Sequence, residues 1–258
     1  MAREQADREL FDRIASRYAT KDIVVSSSLA REYQLLAAIE PVLGEIPNLG
    51  TLVDVGCGVG APAKYLDGLY ERYIGIDQSA EMIEAAIAFN RGNRRAEFLA
   101  QNIKSRELPS NVADVVLSDG ALHHITALDE ALDALVRVAK PGAFLVVREP
   151  QNGNPLLQVL RWGRGIVDPS YSREQIFFSE KDLRELFSSH GVVDISVRFQ
   201  GFLSTPFAQV VMYPQALIVP LSRVAVSVDR WLNAHLPAVL RRLSFNIVVI
   251  GRFGTLGD

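Results

Sequence analysis

A chain of 258 residues, 48% hydrophobic and 22% charged, has the size and composition of one large α/β domain or of a domain with an inserted cap. The formal net charge of −3 provides no general basic field for nucleic acid, and a single cysteine rules out an internal disulfide and argues against a cysteine-built zinc site. The charged stretch Met1 to Glu9 lacks the apolar run of a signal peptide, so a cytoplasmic location is expected.

Helical spacing predicts two helices over residues 5 to 46. Leu10, Phe11, Ile14 and Tyr18 recur on one face, as do Leu35, Leu36, Ile39, Val42 and Leu43. Pro47 and Gly50 close this section, and strands then alternate with helices. Strands are expected near 51–56, 72–77, 96–100, 112–118 and 143–148. Helices are expected near 60–70, 79–91 and 126–139, the second capped by Ser79. Pro141-Gly142 reads as the turn into the fifth strand. After Glu149 the pattern predicts a short helix over 154–165, a helix from Ser179 to His190 capped by Ser179 and stopped by Gly191, and strands at 192–200 and 244–252.

An apolar insertion, 203–243, separates those last two strands. A helix near 221–236 would carry Val224, Val228, Trp231 and Leu232 on one side. Phe199 to Ser222 has no formal charge and is long enough to cross a bilayer. Pro206, Pro214 and Pro220 interrupt it, however, and Gln200, Gln209 and Gln215 lie within it. A spanning helix is therefore not expected; an apolar cap over a pocket, or a face resting on a membrane, stays open. The strand–helix rhythm itself predicts a parallel sheet with helices on both faces. Ligands of such sheets bind beyond the carboxyl ends of the strands, where strand order reverses. Asp54, Asp77, Asn102, Ser118 and Glu149 should gather there.

The run Leu52-Val53-Asp54-Val55-Gly56-Cys57-Gly58-Val59-Gly60-Ala61-Pro62 is the most informative. A buried strand ends in an acid, then a glycine turn opens a helix whose free N–H groups can face a ligand. A second acid, Asp77, closes Tyr73-Ile74-Gly75-Ile76-Asp77. Gly56-x-Gly58-x-x-Ala61 also fits the dinucleotide fingerprint, with an acid for the ribose. Two details point elsewhere. Asp54 stands where dinucleotide strands usually carry an apolar residue, and a third glycine falls at Gly60. A carboxylate serves a pyrophosphate poorly but tolerates a ligand bearing an amine and a sulfonium.

These residues resemble the class I S-adenosylmethionine-dependent methyltransferases, whose signature is an acid, Gly-x-Gly-x-Gly, then a second acid closing the next strand. The resemblance covers residues 51–150. It implies a doubly wound, mostly parallel seven-stranded α/β sheet with an antiparallel last strand. Residues 1–48 would form an N-terminal helical cap, 49–202 with 244–258 the core, and 203–243 a helical cap insertion. It also implies S-adenosylmethionine as cofactor. Asp54 would help hold its amino acid end, and Gly56, Gly58 and Gly60 would let the backbone approach it. Cys57 would fill the turn as a small buried residue. Asp77 would accept from both ribose hydroxyls, with Gln78 beside the adenine. Asn102 stands where many relatives have Asp facing the adenine amino group. Ile103 would pack on the adenine or in the core, Ser118 would line the site, and Tyr18 would close over the cofactor or serve the core.

The segment Ser118-Asp119-Gly120-Ala121-Leu122-His123-His124-Ile125 resembles the part of the family that faces the substrate. Either His123 or His124 could be a general base there, since imidazole titrates near neutral pH. Neighbours on an extended chain point oppositely, so the two are not expected to share a metal, and no metal is expected. Glu149, in a segment that resembles the family's closing motif, would orient a substrate group or pair with the neighbours of Arg148. The implied activity is methyl transfer to O or C of a mostly apolar small molecule. Two other readings stay open. One is methyl transfer to a membrane-borne lipid or quinone reached through 203–243. The other is an NAD-dependent oxidoreductase or a non-catalytic nucleotide-binding module. Nucleic acid is not expected as a partner, and homodimer formation is left open.

Overall fold

The computed structural model describes residues 9, 12–13, 15, 18–125, 127–154, 157–158 and 177–254. Leu10, Phe11 and Ile14, and most of the helix expected over 154–165, lie outside the described residues. Seven strands form one sheet: β1 (Thr51–Val55), β2 (Arg72–Asp77), β3 (Ala96–Ala100), β4 (Ala113–Asp119), β5 (Ala139–Pro150), β6 (Val192–Gln200) and β7 (Asn246–Phe253). Their order is β3-β2-β1-β4-β5-β7-β6, with β7 alone antiparallel to its neighbours β5 and β6. Strand order reverses between β1 and β4, which puts the switch point beside the glycine turn.

The helices are α1 (Val25–Glu45), α2 (Ala61–Tyr65), α3 (Ala80–Phe89), α4 (Leu128–Val138), α5 (Glu180–Ser188), α6 (Ser204–Gln209), α7 (Gln215–His235) and α8 (Ala238–Arg241). Residues 18–23 are helical too, and a bend at Val24 separates them from α1. Ser79 caps α3 by accepting from Met82 N, and Ser179 with Asp182 closes a capping box on α5. The helix expected near 60–70 is cut short at Tyr65, and the chain then turns through Gly68 at φ 89°.

Side chains alternate across the central strands, and both faces are buried. Leu52, Val115, Phe144, Val146 and Val248 point to one face, where Leu35, Ile39 and Val42 of α1 cover them with Ala63 and Leu66. Val53, Val116, Leu145, Val147 and Val249 point to the other, under Leu132, Leu135 and Val138 of α4 and Leu183 and Phe187 of α5. The carboxyl-terminal half of α1 is thus a layer of the core. Truncating such a side chain, as in Ile39→Ala, costs about 2–5 kcal/mol.

Two elements differ from the sequence expectation. Pro141-Gly142 is not a turn before β5 but part of it. β5 starts at Ala139, pairs with Ala113, and resumes at Phe144 opposite Val115, so the extra residues are absorbed as a bulge with Gly142 at φ 76°. In the insertion, α7 starts at Gln215, with Pro214 before it and Pro220 within it. The uncharged stretch 199–222 is shared among the end of β6, α6 and the start of α7. Among the described residues no helix is long and apolar enough to cross a membrane.

The insertion is tied to the amino-terminal half of α1 by polar contacts. Gln34 donates to Ser204 Oγ at 2.8 Å and Thr205 Oγ1 at 3.0 Å. Gln215 donates to Ser26 Oγ at 3.0 Å, and Asn233 to Tyr33 at 3.0 Å. Asp229, buried in α7, accepts from the backbone N–H groups of Phe202, Leu203 and Ser204 and from the Ser204 hydroxyl.

Candidate cofactor and acceptor site

The glycine turn is laid against the end of β2: the N–H groups of Gly56 and Cys57 both donate to Ile76 O. All three glycines of the motif have positive φ, of 71°, 52° and 68°. Their surroundings differ. A Cβ on Gly56 would stand 2.3 Å from Ala121 Cβ, and one on Gly60 would stand 2.6 Å from Phe98 and 2.8 Å from Asn90. A Cβ on Gly58 would meet nothing within 4 Å. Gly56 and Gly60 are therefore required by packing inside the protein. Gly58 keeps a stretch of backbone bare toward open space, which is what close approach of a ligand requires. Cys57 is buried, its sulfur packed toward Gly75, and burial first of all pushes its thiol well up.

Asp77, at the end of β2, holds this turn. One of its carboxylate oxygens accepts from Gly58 N at 2.9 Å and the other from Ser79 N at 2.9 Å. Burial raises its pKa, against the lowering by these N–H donors. A carboxylate has about four lone-pair sites, so each oxygen keeps room for one further donor. Gln78 follows at the same edge.

Asp54 is 1% exposed. Tyr73 donates its hydroxyl to Asp54 Oδ2, while Oδ1 has no partner among the described residues. Burial, only partly offset by the Tyr73 hydrogen bond, pushes its pKa up to about 8. Across the switch point on β4, Ser118 Oγ is likewise buried and without a partner among the described residues. Buried polar atoms left unpaired cost free energy. Here they lie at neighbouring strand ends beside an open glycine backbone, Asp54 on the sheet face covered by α1 and Ser118, one residue past Leu117 in the register, on the other face. An acceptor oxygen, a hydroxyl and a bare backbone suit a ligand with a cationic amine end, and Asp77 suits its vicinal hydroxyls. The residues present thus fit S-adenosylmethionine.

The 26-residue separation of His123 and Glu149 disappears in the fold. Glu149 ends β5, fully buried, and accepts from Leu122 N at 2.8 Å with one oxygen; the other lies 2.6 Å from His123 Nδ1. A carboxylate only accepts, so Nδ1 carries the hydrogen, and in the neutral ring Nε2 keeps its lone pair. His124 does not point away from His123 as on an extended chain. Leu122–His124 form a 3-10 turn, and the two rings lie 4.0 Å apart at 41°. Glu149 pairs with His123, and Arg148 beside it grips Asp119 through two bonds of 2.5 and 2.8 Å.

The other expected residues are placed variously. Tyr18 is partly buried against Val59 of the glycine turn and Met82 of α3, together with Ala15. Asp12 accepts from Ser79 Oγ at 2.5 Å, two residues beyond Asp77. Asn102 is exposed, and its side-chain oxygen accepts from Lys104 N. Ile103 is buried in the main core among strand side chains. Tyr73, Asp119, Arg148 and Gln34 belong to the neighbourhood, although the motifs do not single them out. Arg148 donates to Gln34 Oε1 at 2.7 Å, linking the end of β5 to α6 through the Gln34 amide. Asp119 and Arg148 are brought side by side by the strand register, which no local sequence pattern announces.

Sheet order, glycine turn and paired strand-end acids define a class I S-adenosylmethionine-dependent methyltransferase fold. Residues 53–147 match the family described as "Methyltransferase domain", a match that supports the class I S-adenosylmethionine-dependent methyltransferases. The chain is 31% identical over 157 residues to a ubiquinone/menaquinone biosynthesis C-methyltransferase of Syntrophotalea carbinolica, a match covering 59% of this chain and 65% of that one. The chain thus spans just under two thirds of that relative's length. It is 28% identical over 214 residues to a demethylmenaquinone methyltransferase of Roseiflexus, covering 74% of this chain and 87% of the relative. Among solved structures, a Thermotoga maritima protein described as an S-adenosylmethionine-dependent methyltransferase superposes with a TM-score of 0.64. That superposition covers 95% of this chain and 98% of the other at 18% identity, a likeness of fold.

Proposed function

We propose that this protein transfers a methyl group from S-adenosylmethionine to an oxygen or carbon of a mostly apolar small molecule, with the quinone class foremost. The observation that carries this reading is the set of half-satisfied polar groups around Gly58, with a buried His–Glu pair on the next strand ends. The names of the relatives above support the quinone class.

In this reading Asp54 and Ser118 hold the amino acid end of the cofactor, and the backbone of Gly56, Gly58 and Gly60 lies along it. Asp77 accepts from the ribose hydroxyls, and Gln78, Asn102 and Ile103 border the adenine. Cys57 keeps the turn tight by filling the space beneath it. Bound there, S-adenosylmethionine supplies a methyl made electrophilic by its sulfonium. The protein's own work is alignment and exclusion of water. His123 Nε2 takes the proton from an acceptor hydroxyl, Glu149 holds the ring at Nδ1, and His124 packs against it. Residues 203–243 form the cap on the acceptor side, tied to the strand ends through Gln34 and Arg148, and Tyr18 closes the cofactor side.

The test is a screen of quinols, phenols and apolar acceptors with labelled cofactor, each product located by mass spectrometry. Label in a quinol or phenol supports the reading. Label confined to protein or nucleic acid, with every small acceptor inert, would overturn it.

A further inference from the structure

The insertion carries a surface that the proposed reaction does not use. Ten of the 15 large apolar side chains exposed among the described residues fall within 203–243. On α7, Leu217, Leu221, Val224, Val228 and Trp231 recur at intervals of four, three, four and three, which aligns them on one flank of the helix. Leu217, Val224 and Trp231 are 64%, 60% and 58% exposed, while Ser222, Ala225 and Asp229 on the opposite flank are buried. A shallow groove of ≈ 350 Å³ runs beside Val224, Val228 and Trp231.

Charge decides what this flank meets. The sole acid in 203–243 is Asp229, which is buried and consumed by its four hydrogen bonds. The cations of the same segment are Arg223, Arg230, Arg241 and Arg242. Arg223 and Arg230 are exposed, seven residues apart, in a row about a third of a turn from the centre of the apolar stripe, with the Arg230 guanidinium 5.7 Å from the centre of the Tyr33 ring on α1. Arg242 has one acidic neighbour, Glu180, at 2.8 Å. A second copy of the chain fits poorly: antiparallel pairing of two α7 helices would bring Arg223 of one near Arg230 of the other, with no exposed carboxylate in the segment between them.

We propose that α7 docks on the surface of an anionic lipid bilayer, its apolar stripe with Trp231 lying in the headgroup–acyl boundary and its arginines against the lipid phosphates. An apolar stripe with an aromatic residue and a flanking basic row is the makeup of a helix that lies in the membrane plane. The inference does not rest on methyl transfer, and its test needs neither cofactor nor acceptor.

The full chain is mixed with phosphatidylcholine vesicles and with vesicles containing one-third phosphatidylglycerol, then sedimented. The expected result is pelleting with the anionic vesicles, release by high salt, and little pelleting with the neutral ones. Val224→Asp with Trp231→Ser should leave the chain in the supernatant, and Arg223→Glu with Arg230→Glu should weaken partition by at least about 30-fold, both with unchanged circular dichroism. A wild-type chain that stays in the supernatant with anionic vesicles overturns the proposal. So does equal pelleting with neutral vesicles. A dimer in solution that Val224→Asp dissociates, with no vesicle binding, would assign the surface to a second copy instead.

Discussion

The carboxyl edge of the sheet and the outer flank of α7 depart from ordinary burial in opposite directions. At the sheet edge, polar groups are inside: Asp54 and Glu149 are buried, and Asp54 Oδ1 and Ser118 Oγ are unpaired among the described residues. On α7, apolar groups are outside, with Val224 and Trp231 more than half exposed. Burying an unpaired carboxyl and wetting a tryptophan both cost free energy. Each region therefore marks where the folded chain is incomplete without another body. In the readings proposed above, that body is small, polar and cationic at the sheet edge, and broad, apolar and negatively charged at α7.

The sharpest way to separate catalysis from binding at the sheet edge is His123→Ala. It should lower turnover by about 100-fold while calorimetric affinity for S-adenosylmethionine stays unchanged. Glu149→Gln should lower turnover less and shift the pH profile, because the ring loses the negative charge beside Nδ1. If neither changes turnover, positioning alone drives the reaction. Asp77→Ala comes next in size. It should weaken cofactor binding at least about tenfold, since a hydrogen bond to a charged group contributes about 1.5–3 kcal/mol; unchanged affinity would refute its ribose role.

The glycines offer a comparison within one turn. Gly60→Ala drives a methyl into Phe98 and Asn90 and should cost about 1–3 kcal/mol of stability beyond its backbone strain. Gly58→Ala meets only the backbone strain of about 1–2 kcal/mol and should lose cofactor affinity in greater proportion than stability. Equal loss of melting temperature in both would break the distinction between packing and ligand approach.

The smallest effect is on stability against pH. Asp54 sits at about 8 in the folded chain, above its unfolded value near 3.9. Between those values the native state holds the extra proton, so stability falls as pH rises through that window and is lowest above 8. Asp54→Asn removes this loss. Its melting temperature should exceed that of the wild type at pH 8.5, by about 2–4 °C for each kcal/mol relieved, with the difference vanishing near pH 4. Cofactor affinity should fall in the same variant, and a gain in both would contradict the assignment of Asp54 to a cationic ligand.

Much of this was open to reading from the chain because the central strands are buried on both faces and punctuated by glycine and caps. β3 and β6 have the expected limits, and Ser79 and Ser179 cap as their positions suggest. What could not be read depends on register and on short irregular turns. Tyr73 reaches Asp54 only because β1 and β2 are neighbours with those side chains on one face. The spacing of His123 and His124 reads as an extended pair, and no local signal announces the 3-10 turn that brings their rings together. α7 was expected to begin after Pro220, because proline usually interrupts a helix; the first turn instead starts behind Pro214 and carries Pro220 within it. The outward stripe followed from spacing, but which flank faced outward needed the contacts with α1.

Calorimetric titration of the wild-type chain with S-adenosylmethionine and, separately, with NAD tests the strand-end cradle most directly. Saturable binding of the sulfonium compound, with proton release at neutral pH as Asp54 ionises beside its amine, and no heat from NAD, is the predicted result. Saturable binding of NAD with no heat from S-adenosylmethionine would contradict it.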